Sequence, residues 1–135
     1  MNRYMLDTNM FTYVVRKRPD VTAMAQIRPT GSLCISTLTE GEIRYGLSKR
    51  PDSKLLALAV VELLQLVEIL PWTSATALQY GLFRAEMDRQ GKRLSPMDLL
   101  IAAHAVESKA ILVTSDKAFR QIAGLALEDW TAPRT

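Results

Sequence analysis

Arg3-Tyr4-Met5-Leu6-Asp7 is a short, largely apolar run closed by a carboxylate. The same arrangement recurs at residues 33–35, closed by Ser36, and at residues 111–113, closed by Thr114. Short apolar runs ended by a polar residue are what strands buried on both faces of a parallel sheet look like in sequence. Residues 68–70 form a weaker fourth run. Between them the apolar residues recur at helical spacing over 37–48, 53–66, 74–89 and 96–109. Strand and helix therefore alternate, which makes the fold class α/β with a parallel sheet. Ser53 after Pro51-Asp52, Ser74 after Pro71, and Ser95 before Pro96 mark three helix starts.

The remaining composition narrows the function classes. A chain of 135 residues, 48% of them apolar, is expected to form one domain spanning 1–135. The longest apolar stretch, 55–70, is broken by Glu62, Gln65 and Glu68, short of the roughly 20 apolar residues a bilayer requires. The first residues carry no signal-like apolar region, so a cytoplasmic location is expected. Cys34 is the only cysteine, which excludes an internal disulfide or a thiolate metal cluster and reads as a small core residue. The formal charge of +3 is compatible with a polyanionic partner.

Ligands of an open parallel sheet bind beyond the carboxyl ends of its strands. Asp7 follows the first strand directly, Asp116 stands three positions after Val113, Glu42 lies early in the helix after Ile35, and Asp98 begins the helix at 96. Four carboxylates meeting there repel one another, and a divalent cation relieves that repulsion. Mg²⁺ takes hard oxygen ligands together with waters and phosphate oxygens, a combination suited to phosphodiester hydrolysis by metal-activated water.

Each acid also has a structural reading. Asp7 and Asp116 can cap the helices that follow them. Asp98 completes a Ser95-x-x-Asp98 capping box, and Thr37-Leu38-Thr39-Glu40 matches the same pattern. That pattern gives Glu40 a place at the helix start, whereas Glu42 shares a face with Leu38, Tyr45 and the small Gly46. The helix period allows only one of the pair to face the site, and the residue reading favours Glu42. His104, the only histidine, lies about 240° around the helix from Asp98 and reads as structural or exposed. A two-histidine acid–base mechanism is thereby excluded within one chain. Trp72 and Trp130 read as packing residues. Arg84, Arg89, Lys92 and Arg93 bracket a turn before Asp98, where they suit either a phosphate backbone or a solvated helix end. Arg16, Lys17 and Arg18 are accounted for by a helix C-terminus.

The ordered segments Tyr4-Met-Leu-Asp7-Thr-Asn9, Ile35-Ser-Thr-Leu-Thr-Glu-Gly-Glu42-Ile-Arg-Tyr-Gly46, Pro96-Met-Asp98-Leu-Leu-Ile-Ala-Ala-His104-Ala and Leu112-Val-Thr114-Ser-Asp116 resemble the PIN-domain toxins of the VapC type. The resemblance covers nearly the full length. It implies a central parallel sheet of about four to five strands flanked by helices. It also implies that Asp7, Glu42, Asp98 and Asp116 form the metal site, Asp7 and Asp98 most directly, with Asn9 and Thr114 as polar supports. The expected cofactor is Mg²⁺, or Mn²⁺ in its place. The expected activity is endoribonuclease cleavage of RNA, with initiator tRNA cut in its anticodon region. The expected partners are a second copy of the chain and a cognate antitoxin covering the acidic site, often with an inserted Arg.

Two other classes fit less well. A haloacid-dehalogenase-like phosphotransferase would carry Asp-x-Asp where this chain has Asp7-Thr8-Asn9, and a receiver domain would carry an acidic pair after its first strand. A binding module that keeps this fold without cutting RNA has no need of four mutually repelling acids.

Overall fold

The computed structural model describes residues 2–131. Five strands, β1 (Arg3–Leu6), β2 (Leu33–Ser36), β3 (Glu68–Leu70), β4 (Ala110–Val113) and β5 (Leu127–Glu128), form one sheet in the order β3-β2-β1-β4-β5. Every pairing is parallel, with Met5 opposite Cys34 on one side and Leu112 on the other. The helices are α1 (Thr8–Val15), α2 (Pro19–Gln26), α3 (Thr37–Ser48), α4 (Lys54–Leu66), α5 (Ser74–Arg89) and α6 (Pro96–Glu107), with a 3₁₀ turn at Lys117–Gln121.

Alternation along the strands divides the interior into two cores. Tyr4, Leu6, Ile35 and Val113 point to the face covered by α1–α4, where they meet Met10, Phe11, Val21, Ile43, Val60 and Leu63. Met5, Cys34, Ala110 and Leu112 point to the opposite face, against Met87, Leu99, Ile101, Ala102 and Phe119. A sheet covered on both sides is what the apolar runs require, because every residue of such a strand needs a partner. Cys34 is buried as expected, and burial pushes its thiol up to about 12.

Two elements were not legible in the sequence: α2, which begins at Pro19 and buries only Val21, and the two-residue β5. Helix starts shift slightly. The cap of α3 is Ser36, whose hydroxyl accepts from Leu38 N; Glu40 does not close a capping box but pairs with Arg44 at 2.9 Å. The cap of α5 is Thr73, in a reciprocal box with Thr76, and Ser53 makes no side-chain cap bond. Gly46 does not admit a close neighbour, since nothing lies within 4 Å of where its Cβ would stand. Among the described residues, no helix is long and apolar enough to cross a membrane.

β5 is fastened from a distance. Arg28 pairs with Glu128 at 2.9 Å and lies over the rings of Tyr4 at 4.7 Å and Trp130 at 5.6 Å, while Trp130 Nε1 donates to the same carboxylate. Trp130 is buried, in agreement with a packing role.

Candidate active site

The strand order reverses direction at β1: β2 and β3 extend the sheet one way, β4 and β5 the other. The crevice beyond the carboxyl ends of β1 and β4 is therefore the position where an open α/β sheet binds ligands. Asp7 leaves β1 there, its backbone N–H donating to Val113 O at 3.1 Å, and Asp116 follows β4 on the adjoining segment.

Asp7 is half-buried and serves as the cap of α1, Oδ1 accepting from Met10 N at 2.8 Å. Burial raises its pKa above the ordinary carboxylate value, and the charges of Asp116 and Asp98 raise it further; hydrogen bonds from Thr114 and Met10 act the other way. Asp98 stands in the first turn of α6, where its backbone N–H donates to Ser95 Oγ at 3.1 Å. Its pKa is raised by burial and by Asp116, against a hydrogen bond with Ser95. Glu42 is exposed on α3 and is raised by partial desolvation, then by Asp98 and Asp7. Asp116 is exposed and caps the 3₁₀ turn by accepting from Ala118 N at 2.9 Å.

Asp7 and Asp98 thus each lie within electrostatic reach of the other and of Asp116, and Glu42 within reach of Asp7 and Asp98. Of the structural alternatives the sequence offered, Asp7 and Asp116 do cap the helices that follow them, whereas the cap of α6 is Ser95 and Asp98 contributes only its backbone N–H to it. A cap occupies one carboxylate oxygen at Asp7 and at Asp116, so the other oxygen of each has no hydrogen-bond partner on its own cap. Thr114 links two of the acids. It is only 4% exposed, its hydroxyl bonds to Asp7, and its oxygen accepts from Asp116 N at 3.0 Å. Asn9 is exposed on the first turn of α1.

The donor set is all oxygen and anionic, which fits a hard divalent cation. Among the described residues no three acids stand close enough to make a ready-formed metal cage. An open arrangement is compatible with Mg²⁺, which keeps several waters and needs only one or two protein carboxylates.

His104 takes no part in this cluster. It is 1% exposed, with Nδ1 2.8 Å from Ser36 Oγ and its ring edge-on to Trp72 at 5.6 Å. From Glu42 an apolar groove of about 200 Å³ runs between α1, α3 and α4, floored by Phe11, Ile43, Leu47 and Leu56 and edged by Arg16 and Arg50.

An open parallel α/β sheet with carboxylates beyond its strand ends defines the class of protein to which the chain belongs. Residues 4–125 match the PIN domain family model. The tRNA(fMet)-specific endonuclease VapC of Shigella flexneri is 34% identical over 135 residues, 97% of this chain and all of that protein. Ribonuclease VapC2 of Haemophilus influenzae is 32% identical over 131 residues, 96% of this chain and 99% of that one. The toxin fold in the crystal structure of DNA-bound VapBC from Salmonella typhimurium superposes with a TM-score of 0.87 at 30% identity, covering 96% and 99% of the two chains. The chain belongs to the PIN domain family, in its VapC branch.

Proposed function

We propose that this protein is the toxin of a toxin–antitoxin pair and a metal-dependent endoribonuclease acting in the cytoplasm, with initiator tRNA, cut in the anticodon region, as its substrate. The observation that carries the reading is the convergence of Asp7, Asp98 and Asp116, with Glu42 coupled to the first two, beyond the carboxyl ends of β1 and β4. Holding like charges together costs stability, so the arrangement calls for a cation and a substrate. The relatives named as ribonucleases and as a tRNA(fMet)-specific endonuclease support the substrate class.

Asp7 and Asp98 would hold Mg²⁺, or Mn²⁺, most directly, with Glu42 and Asp116 completing the pocket through water or a second ion. When bound, the ion supplies acidification of water and neutralisation of charge on the phosphate. Thr114 keeps Asp7 and Asp116 in fixed relative orientation through its two hydrogen bonds. Asp7, anchored by Met10, is the rigid member of the set; Glu42 and Asp116 are exposed and able to reach incoming water.

Structural neighbours solved as VapBC complexes support a cognate antitoxin as partner. The apolar groove that ends at Glu42 offers such a partner a seat from which a basic side chain can reach the acids. Leu78 and Leu82, exposed one turn apart on α5, suit a second copy of the chain.

The test is cleavage of total bacterial RNA by the purified protein with Mg²⁺, with EDTA, and after Asp7→Asn. Discrete cuts ending in 5′-phosphates, lost in both controls, are expected. Wild-type cutting by Asp7→Asn overturns the site; a 2′,3′-cyclic phosphate product overturns water as the nucleophile.

A further inference from the structure

Three cations of the segment leading to Asp98 are engaged within the chain, whereas Lys117, next to Asp116, is exposed and makes no ion pair among the described residues. Arg84 donates to the Tyr80 hydroxyl at 3.0 Å, Arg89 pairs with Glu86 at 2.6 Å, and Lys92 Nζ donates to Gln121 O at 3.0 Å. Arg93 and Arg120 are exposed, and neither guanidinium makes an ion pair or side-chain hydrogen bond within the described residues. Arg93 lies five residues before Asp98 and Arg120 four after Asp116.

The backbone brings the two together. Lys92 Nζ donates to Gln121 O, and Gln121 Nε2 donates back to Arg93 O at 3.3 Å and to Ala118 O at 3.1 Å. This reciprocal pair of bonds staples the loop before α6 to the 3₁₀ turn, so Arg93 is held beside Gln121, the residue next to Arg120. Arg120 also borders a cavity of about 190 Å³ shared with Thr114, Ser115, Asp116 and Asp129. Of the acids bordering that cavity, Glu128 and Asp129 are otherwise engaged, and Asp116 has one oxygen in its cap. Glu128 bonds to Arg28 and Trp130, Asp129 Oδ1 accepts from Thr131, and Asp116 Oδ1 accepts from Ala118 N.

We propose that Arg93 and Arg120 form a clamp for an RNA backbone phosphate next to the one that is cut. The inference rests on the ribonuclease reading and extends it to how the substrate is held. A phosphodiester chain approaching four carboxylates is repelled, and two unpaired guanidinium groups at their edge offset that repulsion. Their forked N–H groups also match phosphate oxygens in geometry, which a lysine ammonium does not.

The experiment is steady-state cleavage of initiator tRNA by wild type, Arg93→Ala, Arg120→Ala and the double variant, across a KCl series. Lys54→Ala, which removes one exposed charge on α4, is the control. Each arginine variant is expected to raise KM about fivefold, as for a partly exposed charged contact. Each should also flatten the slope of log(kcat/KM) against log[KCl] by about 0.7, the value for one single-stranded phosphate contact. Arg120→Lys should keep the salt slope while losing part of the affinity. A double variant that cuts with wild-type KM and salt slope overturns the clamp. Anisotropy of fluorescein-labelled initiator tRNA on an Asp7→Asn background separates the two ideas. A wild type that cuts no RNA removes the ribonuclease reading, and identical binding with and without the arginines removes the clamp.

Discussion

Asp7 carries two structural demands that conflict. As the cap of α1 it gains from being an anion at a helix N-terminus, yet burial and the charges of Asp116 and Asp98 raise its pKa. A carboxyl whose pKa is higher folded than unfolded binds more protons in the native state, so stability falls as pH rises. The cost is fully present above the raised folded pKa and gone below the ordinary value of 3.8. Asn caps a helix as well as Asp and can keep the Met10 bond. Asp7→Asn is therefore expected to abolish cleavage while stabilising the metal-free protein at pH 7 by on the order of 1 kcal/mol, roughly 4 °C in Tm. The gain should disappear near pH 3, and calorimetry of both proteins without metal checks it. A lower Tm for the variant at pH 7 would show that the charge contributes more as a cap than it loses by burial.

At the scale of elements, α6 is locked by the one histidine of the chain. His104 Nδ1 meets Ser36 Oγ at the β2–α3 junction at 2.8 Å, and the ring lies beside the backbone of Pro71 at the β3–α5 junction. The Ser36 oxygen also accepts from Leu38 N, so the ring is tied to the cap of α3. Burial, and not this network, favours the neutral ring. Burial lowers its pKa, outweighing the opposing influence of Glu107 and Pro71. The unfolded chain takes up the proton first, so stability is complete above pH 6.5 and declines as pH falls toward the folded value. His104→Asn is expected to cost about 2 kcal/mol at pH 7 and to flatten the decline between pH 7 and 5.5. Urea midpoints at several pH values measure this, and an unchanged slope in the variant would assign the decline elsewhere. The same helix shows what sequence could convey. Its start at Ser95-Pro96 and its apolar face were readable because they repeat locally. The contact of His104 with Ser36 spans 68 positions and left no local trace. Short elements were silent for a related reason: α2 buries one residue and β5 has two.

At the scale of the whole molecule, the four acids are spaced along most of the chain and brought together by the sheet order alone. Residue type and position singled out Asp7 and Asp116 after β1 and β4, and Glu42 and Asp98 early in α3 and α6, as the candidate acids. Thr114 as the link between two acids, and Arg120 beside the loop of Arg93, depend on contacts that no local pattern encodes. Because β1, α3, α6 and β4 each present one acid, a cation bound among them joins both helical layers across the top of the sheet. Such an ion binds the folded chain and not the scattered carboxylates of the unfolded one, so it must stabilise the entire fold by mass action. At a hundredfold excess over its dissociation constant, Mg²⁺ is expected to stabilise the wild type by about 2.7 kcal/mol. Asp7→Asn should gain much less, so the ranking of the two proteins inverts between EDTA and saturating Mg²⁺. A thermal melt of each under both conditions reads the inversion directly. If the wild type melts at the same temperature with EDTA and with Mg²⁺, the acids do not hold the ion among them, and their mutual repulsion must be relieved by an antitoxin cation instead.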